Sequence, residues 1–216
     1  VAQMLAYSGG GTFVADAVDL SLLIEGMQYL VRSSVSKKAR LDYALATELP
    51  EVAGDAAQLQ QVVMNLVTNA SDALGDKNGD IRIETEPVTL AEDLKRDRAT
   101  VPAGDYTVIR VVDHGIGIPD HQLRQIFEPF FTTKPVGEGT GLGLSMAYGI
   151  VKQSGGYIFV DSEVGQGTTF SLYFPVYEGP AQAPAVEVRR MTAKQGEGVV
   201  LLVEDEASVR AFASRA

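Results

Sequence analysis

Apolar residues recur at helical spacing from Leu20 to Val35, and again through a longer stretch in which Asp55 predicts an N-cap and Gly75, after Leu74, a stop. Between these helices the period shortens. Arg40 to Ala46 alternates like a strand, and Leu49, Pro50 and Glu51 turn the chain. Ile81, Ile83 and Val88 predict another strand, Leu90 to Ala103 reads as a charged connector with little apolar content, and Tyr106 to Val112 is strongly β-prone. A short helix near His121 to Phe127, a loop, and a helix from about Gly141 to Gln153 follow. Two strands, Tyr157 to Asp161 and Thr168 to Val176, flank the turn Glu163 to Gly167 as a hairpin, and the domain closes near residue 178. Outside it, residues 1–8 carry apolar groups at Val1, Met4, Leu5 and Ala6 and stop at three glycines, like the last turns of a helix. Pro180 and Pro184 mark a linker, and VVLLV from Val199 begins a new strand that meets Glu204, Asp205 and Glu206.

Composition narrows the class. With 216 residues, 45% hydrophobic and 21% charged, the chain can bury a substantial core. No apolar run approaches the roughly 20 residues that span a bilayer, so the expected setting is the cytoplasm without membrane contact. The chain opens on Val1 and reads as a fragment. The absence of cysteine excludes disulfides and thiolate metal sites, and two lone histidines do not build a zinc site. Any metal is expected to be hard and oxygen-bound. A net charge of −10 opposes nucleic-acid binding. A single nucleotide chelated by Mg²⁺ remains compatible, since local amides and a cation hold it whatever the global charge.

Three stretches carry candidate chemistry. In the long helix, Gln61, Asn65, Asn69 and Asp72 share one face, opposite Leu59, Val62, Val63, Leu66, Ala70 and Ala73. Asparagine is a poor interior helix former. The stripe is either a solvated face that tolerates two asparagines or a metal site, with Asn69 as the Mg²⁺ ligand and Asn65 in support. The run Asp113-His114-Gly115-Ile116-Gly117 sets a carboxylate at a strand end before two glycines that let backbone approach a ligand. It is either an ordinary Asp-Gly turn or an adenine site, in which Asp113 accepts from the adenine amino group and repels the guanine carbonyl. Gly137, Gly139, Gly141 and Gly143 alternate just before a helix, where backbone N–H groups suit phosphate oxygens, although neither a P-loop nor a Rossmann start fits. Ahead of them, Phe127, Phe130 and Phe131 read individually as core, while Lys134 offers a point charge for a terminal phosphate.

The order of these stretches is more specific than any one of them. NLVTNASDAL, DHGIGIP, FEPFFTTK, GEGTGLGLS and GQGTTF resemble the N, G1, F, G2 and G3 boxes of the catalytic ATP-binding domain of sensor histidine kinases, in the GHKL superfamily. The resemblance covers about residues 14–178. It implies an α+β fold, a two-layer α/β sandwich of three helices on one face of a mixed, mostly antiparallel sheet, with ATP and Mg²⁺ under a mobile lid. Carried over, Asn69 resembles the Mg²⁺ ligand and Asn65 the second asparagine of the N box. Asp113 resembles the adenine contact with Gly115 and Gly117 as its loop, and Gly139, Thr140, Gly141, Leu142 and Gly143 resemble the phosphate-side lid. Thr168 resembles a residue closing the adenine side. Where family members often place a basic residue before the Ile of the F box, this chain has Gln125, with Arg124 beside it.

One position bears on mechanism. ATP-hydrolysing relatives carry a water-activating glutamate one turn before the metal asparagine; here that place holds Asn65, which cannot act as a base. Catalysis then rests on positioning and charge neutralisation, with Asn65 and Lys134 as the catalytic candidates. In this family the nucleophile is a histidine on an upstream helical hairpin. Residues 1–13 resemble the end of that hairpin, and neither His114 nor His121 has the setting of a phosphoacceptor. Beyond the linker 179–197, VVLLVEDEASVR in residues 198–216 resembles the start of a receiver domain. The resemblance thus implies the kinase half of a hybrid sensor kinase. Its parent would be homodimeric, binding ATP and ADP and working with the phosphoacceptor hairpin and the receiver domain. The alternative is a nucleotide-gated interaction module of the same fold without phosphotransfer.

Overall fold

The computed structural model describes residues 16–96, 99–135 and 139–179. The readings of residues 1–13, of the linker from Pro180 on, of residues 198–216 and of Gly137 lie outside these. In chain order the elements are β1 (Asp16–Val18), α1 (Leu20–Ser34), β2 (Ala39–Ala44), β3 (Val52–Gly54), α2 (Ala56–Leu74), β4 (Gly79–Leu90), β5 (Leu94–Arg96) and β6 (Ala99–Val101). They continue with β7 (Gly104–Asp113), α3 (Asp120–Leu123), α4 (Gly143–Gln153), β8 (Tyr157–Glu163) and β9 (Gly167–Pro175).

Both long helices start where an aspartate can cap them. The Asp19 carboxylate accepts from Leu22 N–H at 3.0 Å and the Asp55 carboxylate from Gln58 N–H at 3.1 Å, each satisfying a donor that the first turn leaves without a helical partner. At the far end of α2, Gly75 takes φ 57°, where a side chain would be strained, and its N–H returns to Asp72 O. The buried stripes are Leu20, Leu23, Ile24, Met27 and Val31 on α1, and Leu59, Val62, Val63, Leu66, Val67, Ala70 and Leu74 on α2.

The main sheet has the order β2-β4-β7-β9-β8, with β2 parallel to β4 and every other pair antiparallel. Ile81 and Ile83, Ile109 and Val111, and Phe170, Leu172 and Phe174 turn to the helices α1, α2 and α4 and form one core with them. This is the two-layer sandwich the resemblance implies, with a mixed and mostly antiparallel sheet. Among the described residues no helix is long and apolar enough to cross a membrane.

Two expectations change, and one ladder lies where no element was expected. The stretch from Leu90 to Ala103 is not a plain connector, since β5 and β6 form an antiparallel hairpin within it. Its Val101 is fully buried in a second, smaller core with Tyr106, Val108, Phe159 and Tyr173, away from the helix layer. Arg96 extends this contact, pairing with Asp161 and lying 5.1 Å from the centroid of the Phe159 ring. β1 and β3 form a further ladder of only three residue pairs, too short to show a period. Finally, α4 begins at Gly143, because Gly141 sits at φ 65°, outside the right-handed helix.

The second core makes a separable prediction. Val101→Ala is expected to destabilise the domain by about 1–2 kcal/mol through lost burial. Nucleotide affinity should not change, because the hairpin covers the opposite sheet face. Denaturant unfolding set beside ATP calorimetry checks both halves.

Candidate functional site

β7 delivers Asp113 to the sheet's end, on the face where Ile109 and Val111 pack against the helices. The Asp113 carboxylate is buried, at 4% exposure, and accepts from Gly115 N–H at 2.8 Å, which folds the chain back at once. Burial pushes the carboxyl above its ordinary range, while backbone N–H groups of Gly115 and Thr168 and the neighbouring His114 draw it partly back. The loop is packed from both sides. Ile116 N–H donates to Ala73 O at the end of α2 at 3.0 Å, and Gly165 N–H donates to Ile116 O at 2.8 Å from the turn between β8 and β9. Two glycines permit this closeness. A Cβ on Gly117, which has φ 70°, would lie 2.1 Å from Glu163 O, and one on Gly115 would lie 2.6 Å from Ala73 O.

Thr168 stands opposite Asp113 in the β7–β9 register and is buried as well. It is joined by a residue that sequence reasoning missed. Ser162 Oγ lies 2.9 Å from Thr168 Oγ1, accepts from Ile118 N–H at 2.7 Å, and donates to Gly167 O at 2.9 Å. Since Ser162 has one proton and gives it to Gly167, Thr168 must donate to Ser162. The serine thereby fixes the Thr168 hydroxyl and the far side of the glycine loop together. An open depression of about 520 Å³ borders Asp113, His114, Leu123, Ser162, Gly167 and Thr168.

The amide stripe of α2 meets the glycine-rich segment directly. Asn65 Nδ2 donates to Gly143 O at 3.0 Å, fastening the first residue of α4 to the helix that bears Asn69, itself half-buried one turn on. Helix α4 starts without a side-chain cap, Leu142 occupying the cap position, so its first N–H groups are open to an anion. Thr140 is exposed, and its hydroxyl accepts from Leu142 N–H at 3.4 Å. Gly141 crosses the F-box segment closely. Phe130 N–H donates to Gly141 O at 2.9 Å, and a Cβ on Gly141 would fall 2.4 Å from the Phe130 carbonyl carbon.

That crossing corrects the reading of Phe130 as core. It is 70% exposed and holds φ 68°, an uncommon backbone for a residue with a side chain, whereas Phe127 and Phe131 do pack against the core. Lys134 is also engaged already, its ammonium pairing with the Asp72 carboxylate on α2. Asp72 had no assigned role from sequence. Gly139 packs on the same segment, where a Cβ would meet Thr132 Oγ1 at 2.7 Å and Lys134 Cδ at 3.1 Å. His114, in the loop after β7, and His121, on α3, are both exposed.

The groups that could hold a phosphate chain are the open N–H groups at the start of α4, the α2 amides and Lys134. The donor set available to a metal there is a neutral amide rather than a carboxylate cage. That suits an Mg²⁺ ion keeping water and phosphate oxygens as its other ligands.

The family model described as histidine kinase-, DNA gyrase B-, and HSP90-like ATPase matches residues 54–178. Sensor kinase CckA of Brucella abortus (strain 2308) is 42% identical, covering 100% of this chain and 24% of its own length. Sensor histidine kinase ZraS of Escherichia coli (strain K12) is 40% identical over 74% of this chain and 31% of its own. The chain therefore spans about a quarter of the first of these relatives and about a third of the second. Among solved structures, the catalytic domain of histidine kinase ThkA superposes with TM-score 0.56 at 29% identity, covering 75% of this chain and 95% of that one. ThkA in complex with response regulator protein TrrA gives TM-score 0.60 at 26% identity, over 82% of this chain and 46% of that one. With the matched residues running from the end of β3 through all of β9, the chain belongs to the histidine kinase-, DNA gyrase B-, and HSP90-like ATPase family, as an ATPase catalytic domain of the sensor histidine kinase kind.

Proposed function

We propose that this domain binds ATP·Mg²⁺ and transfers the γ-phosphate to a histidine outside this sequence, as the catalytic part of a hybrid sensor histidine kinase. The observation that carries the reading is the bond from Asn65 to Gly143 O. In this reading an amide, committed as a hydrogen-bond donor, stands at the position where the ATP-hydrolysing relatives carry a base. Water attack is then slow, and the bound nucleotide persists until another nucleophile arrives.

In this reading Asp113 accepts from the adenine amino group, with Thr168 closing that side and Gly115 and Gly117 shaping the loop. Asn69 holds the metal, and Mg²⁺ when bound neutralises charge on the phosphate oxygens. Gly139, Thr140, Gly141, Leu142 and Gly143 line the phosphate side, and Lys134 adds a positive charge at the terminal phosphate. Asn65 acts through the lid it fastens. A histidine ring nitrogen attacks the γ-phosphorus in line, forming the P–N bond as the P–O bond to ADP breaks. In the parent, a homodimer in the cytoplasm, a helical hairpin presents that histidine and a receiver domain takes the phosphoryl group onward.

The test mixes this chain with a separately purified histidine hairpin and γ-labelled ATP. Label on the hairpin, dependent on Mg²⁺, is the expected result. ATP binding with no label transferred would overturn it in favour of a nucleotide-gated interaction module.

A further inference from the structure

Lys134 and Asp72 lie 62 residues apart in sequence, and the fold sets the ammonium of one on the carboxylate of the other. Asp72 follows Asn69 by three positions on α2, so the two side chains occupy adjacent places on one helix face, about 4.5 Å apart along its axis. The lysine's backbone is held as well. Its N–H donates to Thr132 Oγ1 at 3.1 Å, and the Gly139 backbone packs so closely on the lysine stem that a Cβ there would crowd it.

We propose that Asp72 is a positioning residue for phosphate binding, holding the Lys134 ammonium beside the metal-binding amide of Asn69. The inference rests on the nucleotide reading above and deepens it. An ammonium has three N–H donors, so one committed to Asp72 leaves two for phosphate oxygens. A lysine free in solvent spreads its charge over many rotamers, and ordering it costs affinity when ligand arrives. Tying it to a carboxylate moves that ordering ahead of binding. The side chains are 37% and 44% exposed, and an ion pair so well solvated adds little to the stability of the fold. Its consequence is placement.

Competition between Asp72 and phosphate for the same ammonium would give effects of opposite sign. Calorimetry on the full chain decides between them, with ATP·Mg²⁺ and AMP as the probes. Asp72→Asn is expected to weaken ATP·Mg²⁺ about threefold to fivefold and leave AMP unchanged. Asp72→Glu should retain the wild-type ratio of the two affinities. In a Lys134→Met background, which itself loosens ATP, Asp72→Asn should have no further effect. Tighter or unchanged ATP binding in Asp72→Asn overturns the proposal, and so does an equal loss for ATP and AMP, the mark of a purely structural role. Phosphoryl transfer does not enter the measurement. A chain that binds ATP yet labels no histidine fails the function proposed above and can still pass this test.

Discussion

Asp113→Asn is expected to lower ATP affinity about tenfold to a hundredfold and to close or reverse the preference for ATP over GTP, while making the nucleotide-free protein more stable. The two effects have one origin. Asp113 is 4% exposed, and the cost of burying its charge raises the carboxyl's pKa in the fold. A carboxyl whose folded pKa lies above its unfolded value binds its proton more tightly in the native state. That contribution is fully present below the unfolded pKa and is lost as pH rises through the folded one. At neutral pH the ionised carboxylate is therefore a standing destabilisation, offset in part by the N–H groups of Gly115 and Thr168.

Asparagine removes the ionisation while its oxygen still accepts from Gly115. The gain in stability over wild type should accordingly shrink on acidification, as Asp113 takes up its proton. Toward the base, the change replaces an acceptor with an NH₂ donor. It now faces the adenine amino group donor to donor and suits the guanine carbonyl instead. Calorimetry with ATP and GTP, together with melting at neutral and acid pH, reads every arm. Unchanged discrimination between the two bases would remove Asp113 from the base contact.

What the sequence disclosed follows physical range. Asp55, Gly75 and the spacing of Leu59, Val62, Val63 and Leu66 are local signals, and they bound α2 within a residue of its place. The fold-back after Asp113 was legible because a carboxylate at a strand end followed by two glycines is a local pattern, closed here by Gly115 N–H on the carboxylate. The hairpin of β5 and β6 was not. Leu94, Ala99 and Val101 are too few to declare a period beside Lys95 and Arg96, and Val101 is buried, with Leu94 and Ala99 half-buried against its cluster, only because the far side of the main sheet receives them. Phe130 was misread because nothing local shows that its backbone must take φ 68° to pass Gly141. Ser162 is an ordinary strand serine until the fold sets Thr168, Ile118 and Gly167 around it. The pairing of Asp72 with Lys134 spans 62 residues, beyond any window of periodicity.

Asn69→Ala is expected to weaken ATP·Mg²⁺ about a hundredfold while changing metal-free ATP binding little, and the neighbouring asparagine supplies the contrast that makes this specific. Along the α2 stripe each polar group has a different commitment. Asn65 is bonded to Gly143 O and Asp72 to Lys134, whereas Asn69 lies between them, half-buried, and in the proposed reading it is the metal ligand. Removing Asn65 loosens the start of α4 and should reduce nucleotide affinity by a similar factor with or without metal. Removing Asn69 leaves that clamp and the apolar stripe of α2 in place, so its loss should fall on the metal-dependent arm. Paired titrations of both alanine variants, in Mg²⁺ and in chelator, separate the roles. Equal losses for Asn69→Ala in the two conditions would refute its part in metal binding, since a ligand to the cation has nothing to lose when the cation is absent.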